Sequence, residues 1–406
     1  MNQLLGLLIL LVFLLLSACG GERATPSPAA PTEPAVAAPT SATAAGSAAA
    51  GMLTGPLVGF YIEDSYEDVY FALYDAGAGA FRVVQSDTPI YIGEAQWFDD
   101  GCRLFVHGQV TDLLGAVEWS VPPEVAARIE HINSAALSPA RRYIAHVVAG
   151  ASDGPSDIEI ITLAPPYDAV RLGTGGGGPR AMAWSADEQW LYHTEHDANG
   201  VLQLFRASPD GATNEQLTHH AGGVAAITGL SPSPGGSHLA YSVQNLFQPG
   251  QPYTYRAADE GWIGIIDLRT GASAAVRPAK FGSAEPGRGL IWNETGETLL
   301  VIGDSLPVSG DDPDAGRRVL WVSAAGEVTN AIRTADGPES HLGWIAPLGS
   351  IDTLLVNVLN DYYLYEGGAF RRLDASQAPP LGMELGRRPI AVLPAPIGFP
   401  GEAECD

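Results

Sequence analysis

The chain has 406 residues, 46% of them apolar, and a formal net charge of −25. Lys280 is the single lysine, so the balance of charge excludes a surface for nucleic acid or anionic headgroups, both of which are held by clustered Lys and Arg. The acidity reads as solubility of an exported protein, with recruitment of a cationic partner as the alternative.

The first element is an almost unbroken apolar run from Leu4 to Leu16. It is short of the roughly 20 residues a membrane helix needs and suits the apolar core of a signal peptide. Leu16-Ser17-Ala18-Cys19 follows and resembles the lipobox of bacterial lipoproteins. That resemblance implies cleavage before Cys19 and a diacylglycerol thioether on its sulfur, with 1–18 as the signal peptide. The leader "MNQ" departs from the pattern in carrying no Lys or Arg, and an uncleaved anchor helix is the alternative. Gly20 stands where Asp would imply inner-membrane retention, so the outer membrane, or the outer face of a single membrane, is expected. Residues 19–54 are rich in Ala, Pro, Thr and Ser and have no aromatic side chain, which predicts a tether that cannot offset the entropy of ordering.

From residue 55 to 406 the chain repeats itself. The stretches "AQWFDDGCRLFVHG", "AALSPARRYIAHVV", "AMAWSADEQWLYHT", "ITGLSPSPGGSHLAYS", "GLIWNETGETLLVIG" and "LGWIAPLGSIDTLLVN" each give a short apolar strand, a polar turn and a second apolar strand. Their apparent anchors are Trp97, Leu137, Trp184, Leu230, Trp292 and Trp344, at a spacing that signals a propeller or solenoid. Each unit then adds two strands across a tight turn, as at Asp210-Gly211 and Thr270-Gly271, where glycine supplies the positive φ of a short hairpin. Four hairpin-linked strands make one antiparallel blade.

"WSADEQWLYH" with "LFRASPDGATNEQLT" resembles the repeat of TolB-type propellers, whose blades carry a Trp-Ser-Pro-Asp-Gly-like turn. "LSPARRYIAH" and "LSPSPGGSHLAYS" keep its Ser-Pro, whereas the other copies are degenerate. The resemblance spans roughly 55 to 395 and implies an all-β propeller of four-stranded antiparallel blades. It also implies binding of protein partners, but no chemistry.

Six anchors give six blades, and three further strands lie between 57 and 87 with no anchor strand before them. "RPIAVLP" at 388–394 is expected to complete that first blade, giving seven blades with six or eight as alternatives, and closing the ring so that no edge is left open. In an oxidising compartment Cys102 and Cys405 are expected to pair, which suits a chain end brought back to the early blades.

Connections between second and third strands share one face of a propeller with the connections between blades. The longest fall there: 245–261, which carries Phe247, Tyr253, Tyr255 and Arg256, and 303–318, with 149–157 on the same face. Extra length on a rigid ring marks a binding surface, drift of tolerated loops being the plainer reading. Residues just before the innermost strands, Glu94, Ser134, Arg180, Arg288 and His341, with His219 and His220 in one connection, should rim the channel on that face. Two arginines with histidines and a glutamate suit a carboxylate or phosphate ligand, and serve equally as strand-end caps.

Asp311, Asp312 and Asp314 form a weak calcium candidate that lacks a distal bidentate glutamate, so no metal or cofactor is expected. His107, His146 and His193 are expected to pack within second strands. No Gly-x-Ser-x-Gly elbow appears, and "GTGGGGP" at 173–179 lacks the Gly-Lys-Ser/Thr ending of a phosphate loop.

Two functions stay open at this point. The first is a lipid-anchored extracytoplasmic scaffold, a monomeric ring, for an envelope protein partner. The second is a small-ligand-binding or catalytic propeller using the channel mouth.

Overall fold

The residue after each anchor decides the first hairpin. In six successive units its N–H bonds to the carbonyl five residues on: Phe98 to Arg103, Ser138 to Tyr143, Ser185 to Trp190, Ser233 to His238, Asn293 to Thr298 and Leu348 to Thr353. Where that residue is Ser or Asn, its side-chain oxygen also accepts N–H groups from the far side of the turn, as Ser138 Oγ does from Arg142 and Tyr143. Asn293 Oδ1 does the same for Glu297 and Thr298. Three residues into five of these turns the backbone becomes left-handed, whereas in the last it does so at Gly349, one residue in. Glycine takes the third place at Gly101, Gly236 and Gly296, while Arg141 and Glu188 hold it without the freedom glycine has.

The turn sets one register throughout. The residue before it pairs with the residue seven positions later, as Trp97↔Leu104, Leu137↔Ile144, Trp184↔Leu191, Pro232↔Leu239, Trp292↔Leu299 and Pro347↔Leu354. Two expected anchors are therefore corrected. Leu230 is displaced by a bulge between Thr228 and Ser231, and Pro232 stands in the anchor position. In the last repeat Pro347 takes that position, and Trp344 lies outside the described residues.

The computed structural model describes most of residues 55–373, together with 388–394 and 405. Outside the described residues lie 1–54, the longer segments 64–68, 85–95, 149–155, 174–180, 222–225, 245–261, 277–288, 303–316, 337–344, 374–387 and 395–404, and a few shorter ones. Ala49–Asp406 is one compact unit.

Within it the strands form seven four-stranded sheets, every pairing antiparallel. Blade 2 comprises β4 (Gln96–Trp97), β5 (Arg103–Val106), β6 (Gln109–Asp112) and β7 (Val117–Ser120). A one-turn helix, α1 (Pro123–Ala126), leads to blade 3: β8 (Ala136–Leu137), β9 (Tyr143–Val148), β10 (Asp157–Thr162) and β11 (Ala169–Leu172). Blade 4 is β12 (Met182–Trp184), β13 (Leu191–His196), β14 (Leu202–Ala207) and β15 (Asn214–Gln216). Blade 5 is β16 (Ala226–Pro232), β17 (His238–Gln244), β18 (Trp262–Asp267) and β19 (Ser273–Val276). Blade 6 is β20 (Leu290–Trp292), β21 (Thr298–Ile302), β22 (Arg317–Ser323) and β23 (Val328–Arg333), and blade 7 is β24 (Ile345–Pro347), β25 (Leu354–Val358), β26 (Asp361–Glu366) and β27 (Ala369–Arg372).

Blade 1 is assembled from both ends of the chain. Its outer strands are β1 (Leu57–Glu63), β2 (Val69–Asp75) and β3 (Ala80–Val84), and its innermost strand is β28 (Arg388–Pro394), paired antiparallel with β1. The seven-bladed ring and its closure by 388–394 agree with the expectation from sequence. A disulfide joins Cys102, in the first turn of blade 2, to Cys405, with their Cα atoms 5.4 Å apart.

A blade cannot bury both faces of its sheet alone, and its neighbours supply the cover. Apolar clusters bridge blades 2 and 3, 3 and 4, 4 and 5, 5 and 6, 6 and 7, and 7 and 1. Two anchor tryptophans are part of this cover and also hydrogen-bond across it. Trp184 Nε1 donates to Ala136 O and Trp292 Nε1 to Ser231 O, both at 2.9 Å, each reaching the residue before the preceding blade's anchor. Glu188 adds a polar tie, its carboxylate accepting from the Ala140 N–H and from Arg142 of blade 3. The left-handed backbone at Glu188 is thus held by a buried carboxylate fully engaged next door.

Candidate functional site

The six-residue turns all lie at one end of the ring, the turn face. Connections between second and third strands and between blades lie at the other end, the loop face. The described part of the loop face centres on the junction of blades 4 and 5, where the sequence places two adjacent histidines.

Gln203, fully buried on β14, is the hub. Its Oε1 accepts the His220 N–H at 2.9 Å and its Nε2 donates to the His220 carbonyl at 3.0 Å, so one amide side chain mimics a strand partner for that residue. Thr218 Oγ1 donates to Gln203 Oε1 and accepts the Leu204 N–H, both at 2.9 Å. Gln203 Nε2 also reaches Asp197 Oδ2 at 3.3 Å; Asp197 folds its own turn by accepting the Asn199 and Val201 N–H groups at 2.9 Å. These backbone bonds hold the Asp197 carboxyl below its ordinary range.

With its backbone pinned, His220 turns its ring inward. It meets Trp262 edge-on with centroids 5.7 Å apart and lies 6.2 Å from the Tyr241 ring. Burial, and then the neighbouring His219, push its pKa down, so the ring is neutral at pH 7. Its Nε2 is buried without a hydrogen-bond partner among the described residues. Tyr241 is fixed from the opposite side: its ring lies over Gly264, its cross-strand partner, where a Cβ would come within 2.1 Å of Cζ. Trp262 is the first residue of β18, immediately after the 245–261 segment.

His219 has a different fate. It is exposed, its Nδ1 3.2 Å from Gln216 Nε2. The two adjacent histidines therefore do not converge on one point, and among the described residues no group of three or more His, Cys, Asp or Glu is placed to hold a metal ion. Of the other expected rim residues, Glu94, Ser134, Arg180, Arg288 and His341 lie outside the described residues, as do Phe247, Tyr253, Tyr255, Arg256, Asp311, Asp312 and Asp314.

Of the three histidines expected in second strands, His146 and His193 are there and buried, whereas His107 sits in the β5–β6 turn with φ 51°. His146 Nε2 lies 3.2 Å from Glu159, which Arg128 and Arg171 also contact at 3.2 Å. Burial raises the Glu159 carboxyl, but His146, Arg171 and Arg128 together outweigh it and hold the pKa below the ordinary value. His193 stacks on Phe205 and shares a hydrogen bond of 3.1 Å with Asn214 Oδ1, which makes Nε2 the donor.

Burial depresses the His193 pKa to about 4. The folded state thus resists protonation that the unfolded chain accepts near its ordinary value, so stability falls as pH drops from about 6.5 to about 4. In chemical unfolding at pH 7, 5 and 4, His193→Gln should lose less stability on acidification than the wild type does, by up to a few kcal/mol. Equal losses would show that His193 does not carry this effect.

No protein-family model matches the chain, and no curated protein does. Solved structures do. TolB from Acinetobacter baumannii is similar at 14% identity over 68% of this chain and 63% of that one, with a TM-score of 0.43, so this chain spans less than two thirds of its length. An oligogalacturonate lyase in complex with manganese is 12% identical over 77% of this chain and 85% of that one, with a TM-score of 0.47. An oligogalacturonate lyase from Vibrio parahaemolyticus is 10% identical over 75% and 89%, with a TM-score of 0.45. At these identities the likeness is one of fold.

Proposed function

We propose that the chain is a lipid-anchored extracytoplasmic β-propeller that serves as a protein-interaction scaffold, binding its partner through the loop face. The observation that carries this reading is the footing of the two longest connections between second and third strands. They leave and re-enter neighbouring blades at one end of the ring, between Gln244 and Trp262 in blade 5 and between Ile302 and Arg317 in blade 6. The re-entry point of the first, Trp262, is clamped by His220, which the buried Gln203 holds in place. A rigid frame under paired insertions lowers the entropy lost on binding. The lipid at Cys19 and the 19–54 tether would hold the ring at a membrane surface.

The test is capture from envelope extract by immobilised residues 55–406, compared with a variant in which 245–261 and 303–318 are shortened. A partner retained by the first and lost by the second is the expected result. A partner indifferent to both segments would overturn the assignment of the surface, and retention of none would overturn the scaffold reading.

A further inference from the structure

The turn face carries a second feature that the loop-face reading does not use. A groove of about 440 Å³ runs between the first turn of blade 6 and the first turn of blade 7. That is within the roughly 300–1,000 Å³ usual for small-ligand sites. Its floor is Trp321 and Ile351, locked together by a 2.9 Å bond from Trp321 Nε1 to Ile351 O.

The polar groups above this floor are amides, carboxylates and hydroxyls. Asn293 Oδ1 is occupied by the Glu297 and Thr298 N–H groups, and Asn330 Oδ1 by the Ala331 N–H. Both amides are thereby oriented with their Nδ2 donors left over. Glu294 and Asp352 supply the opposite kind of group: among the described residues neither carboxylate takes part in a hydrogen bond or ion pair. Thr295 and Thr298 add hydroxyls that both donate and accept.

That mixture selects among ligand charges. An anion would face two carboxylates and no Arg, Lys or His in the lining. A cation would suit the carboxylates but would meet two amide N–H donors that cannot bind it. A hydroxyl group uses both, donating to a carboxylate and accepting from an amide, and vicinal hydroxyls do so in pairs. We propose that this groove binds a neutral polyhydroxylated ligand, a short segment of glycan, held through its hydroxyls by the amides and carboxylates. The inference goes beyond the scaffold reading and does not depend on any protein partner.

The experiment is calorimetric titration of the full chain in mild detergent with three neutral trisaccharides: maltotriose, cellotriose and tri-N-acetylchitotriose. At least one should bind saturably with an affinity insensitive to added salt. Asn330→Ala and Asp352→Ala should each weaken it at least about tenfold, whereas Glu118→Ala, on the exposed edge of blade 2, should leave it unchanged. Asn330 and Asp352 are exposed, and unchanged melting temperatures would show that both variants remain folded. Three outcomes would overturn the proposal: no binding of any trisaccharide, binding indifferent to both substitutions, or salt-dependent binding of an arginine-containing peptide that Asp352→Ala abolishes in place of sugar binding.

Discussion

Replacing Cys102 and Cys405 with serine should lower the unfolding free energy by about 3–5 kcal/mol, and the loss should begin at the end of the chain. The disulfide spans 303 residues. In the chain-entropy treatment, closing a loop that long removes enough freedom from the unfolded state for roughly 5 kcal/mol, an upper figure because unfolded chains retain structure. In the folded state the bond ties blade 2 to the segment just beyond β28, the strand that completes blade 1. Chemical unfolding with and without reductant measures the global term. Amide exchange at 388–394 measures the local one, and it should accelerate in the serine variant before exchange in blades 3 to 6 does. Uniform acceleration across all blades would mean that the bond constrains only the unfolded chain.

Trp292→Ala should cost about 3–5 kcal/mol, comparable to the disulfide, because it empties a position shared by two blades. Trp292 is 5% exposed, packs in the cluster that joins blades 5 and 6, and lies beside His238 with ring centroids 5.9 Å apart. Its removal leaves a cavity and strands the Ser231 carbonyl that its indole satisfies. Trp292→Phe separates these contributions: most of the ring volume remains and the hydrogen bond is lost, for about 1–2 kcal/mol. Urea midpoints for the pair decide the matter. A cost for the alanine variant no larger than that for phenylalanine would show that the cavity collapses and that the blades are held together elsewhere.

The ring was legible because its repeat is written in hydrophobicity, and hydrophobicity reports burial. Register is a different quantity. Leu230 is buried as its apolar character suggests, yet the bulge at Thr228–Ser231 hands the anchor position to Pro232, a residue with no aromatic or aliphatic signal of its own. The six-residue turn was visible as Ser-Pro and Asn-Glu-Thr-Gly, and its constant offset of seven would have located Pro232 and Pro347 without any tryptophan. Polar ties beyond the strand ladders were harder to see. Gln203 and Glu159 interrupt apolar strands and so announce themselves, but their partners His220 and Arg128 come from connections between blades. Glu188 reaches Ala140 across 48 residues, and its turn looks like any other from sequence. For the channel rim, composition alone proposed a convergence, and the two described members of that set, His219 and His220, point apart.

The origin of β28 has a consequence for the order of assembly. Blades 2 to 7 are each built from one continuous stretch and are available as soon as that stretch emerges from the ribosome. Blade 1 holds the earliest strands of the ring and waits for the latest. Until residues 388–394 arrive, β1 presents an unpaired inner edge, the kind of edge that recruits foreign strands. The first segment of the propeller to be synthesised is therefore the last to become native, and the interval between the two is the time taken to deliver every other blade.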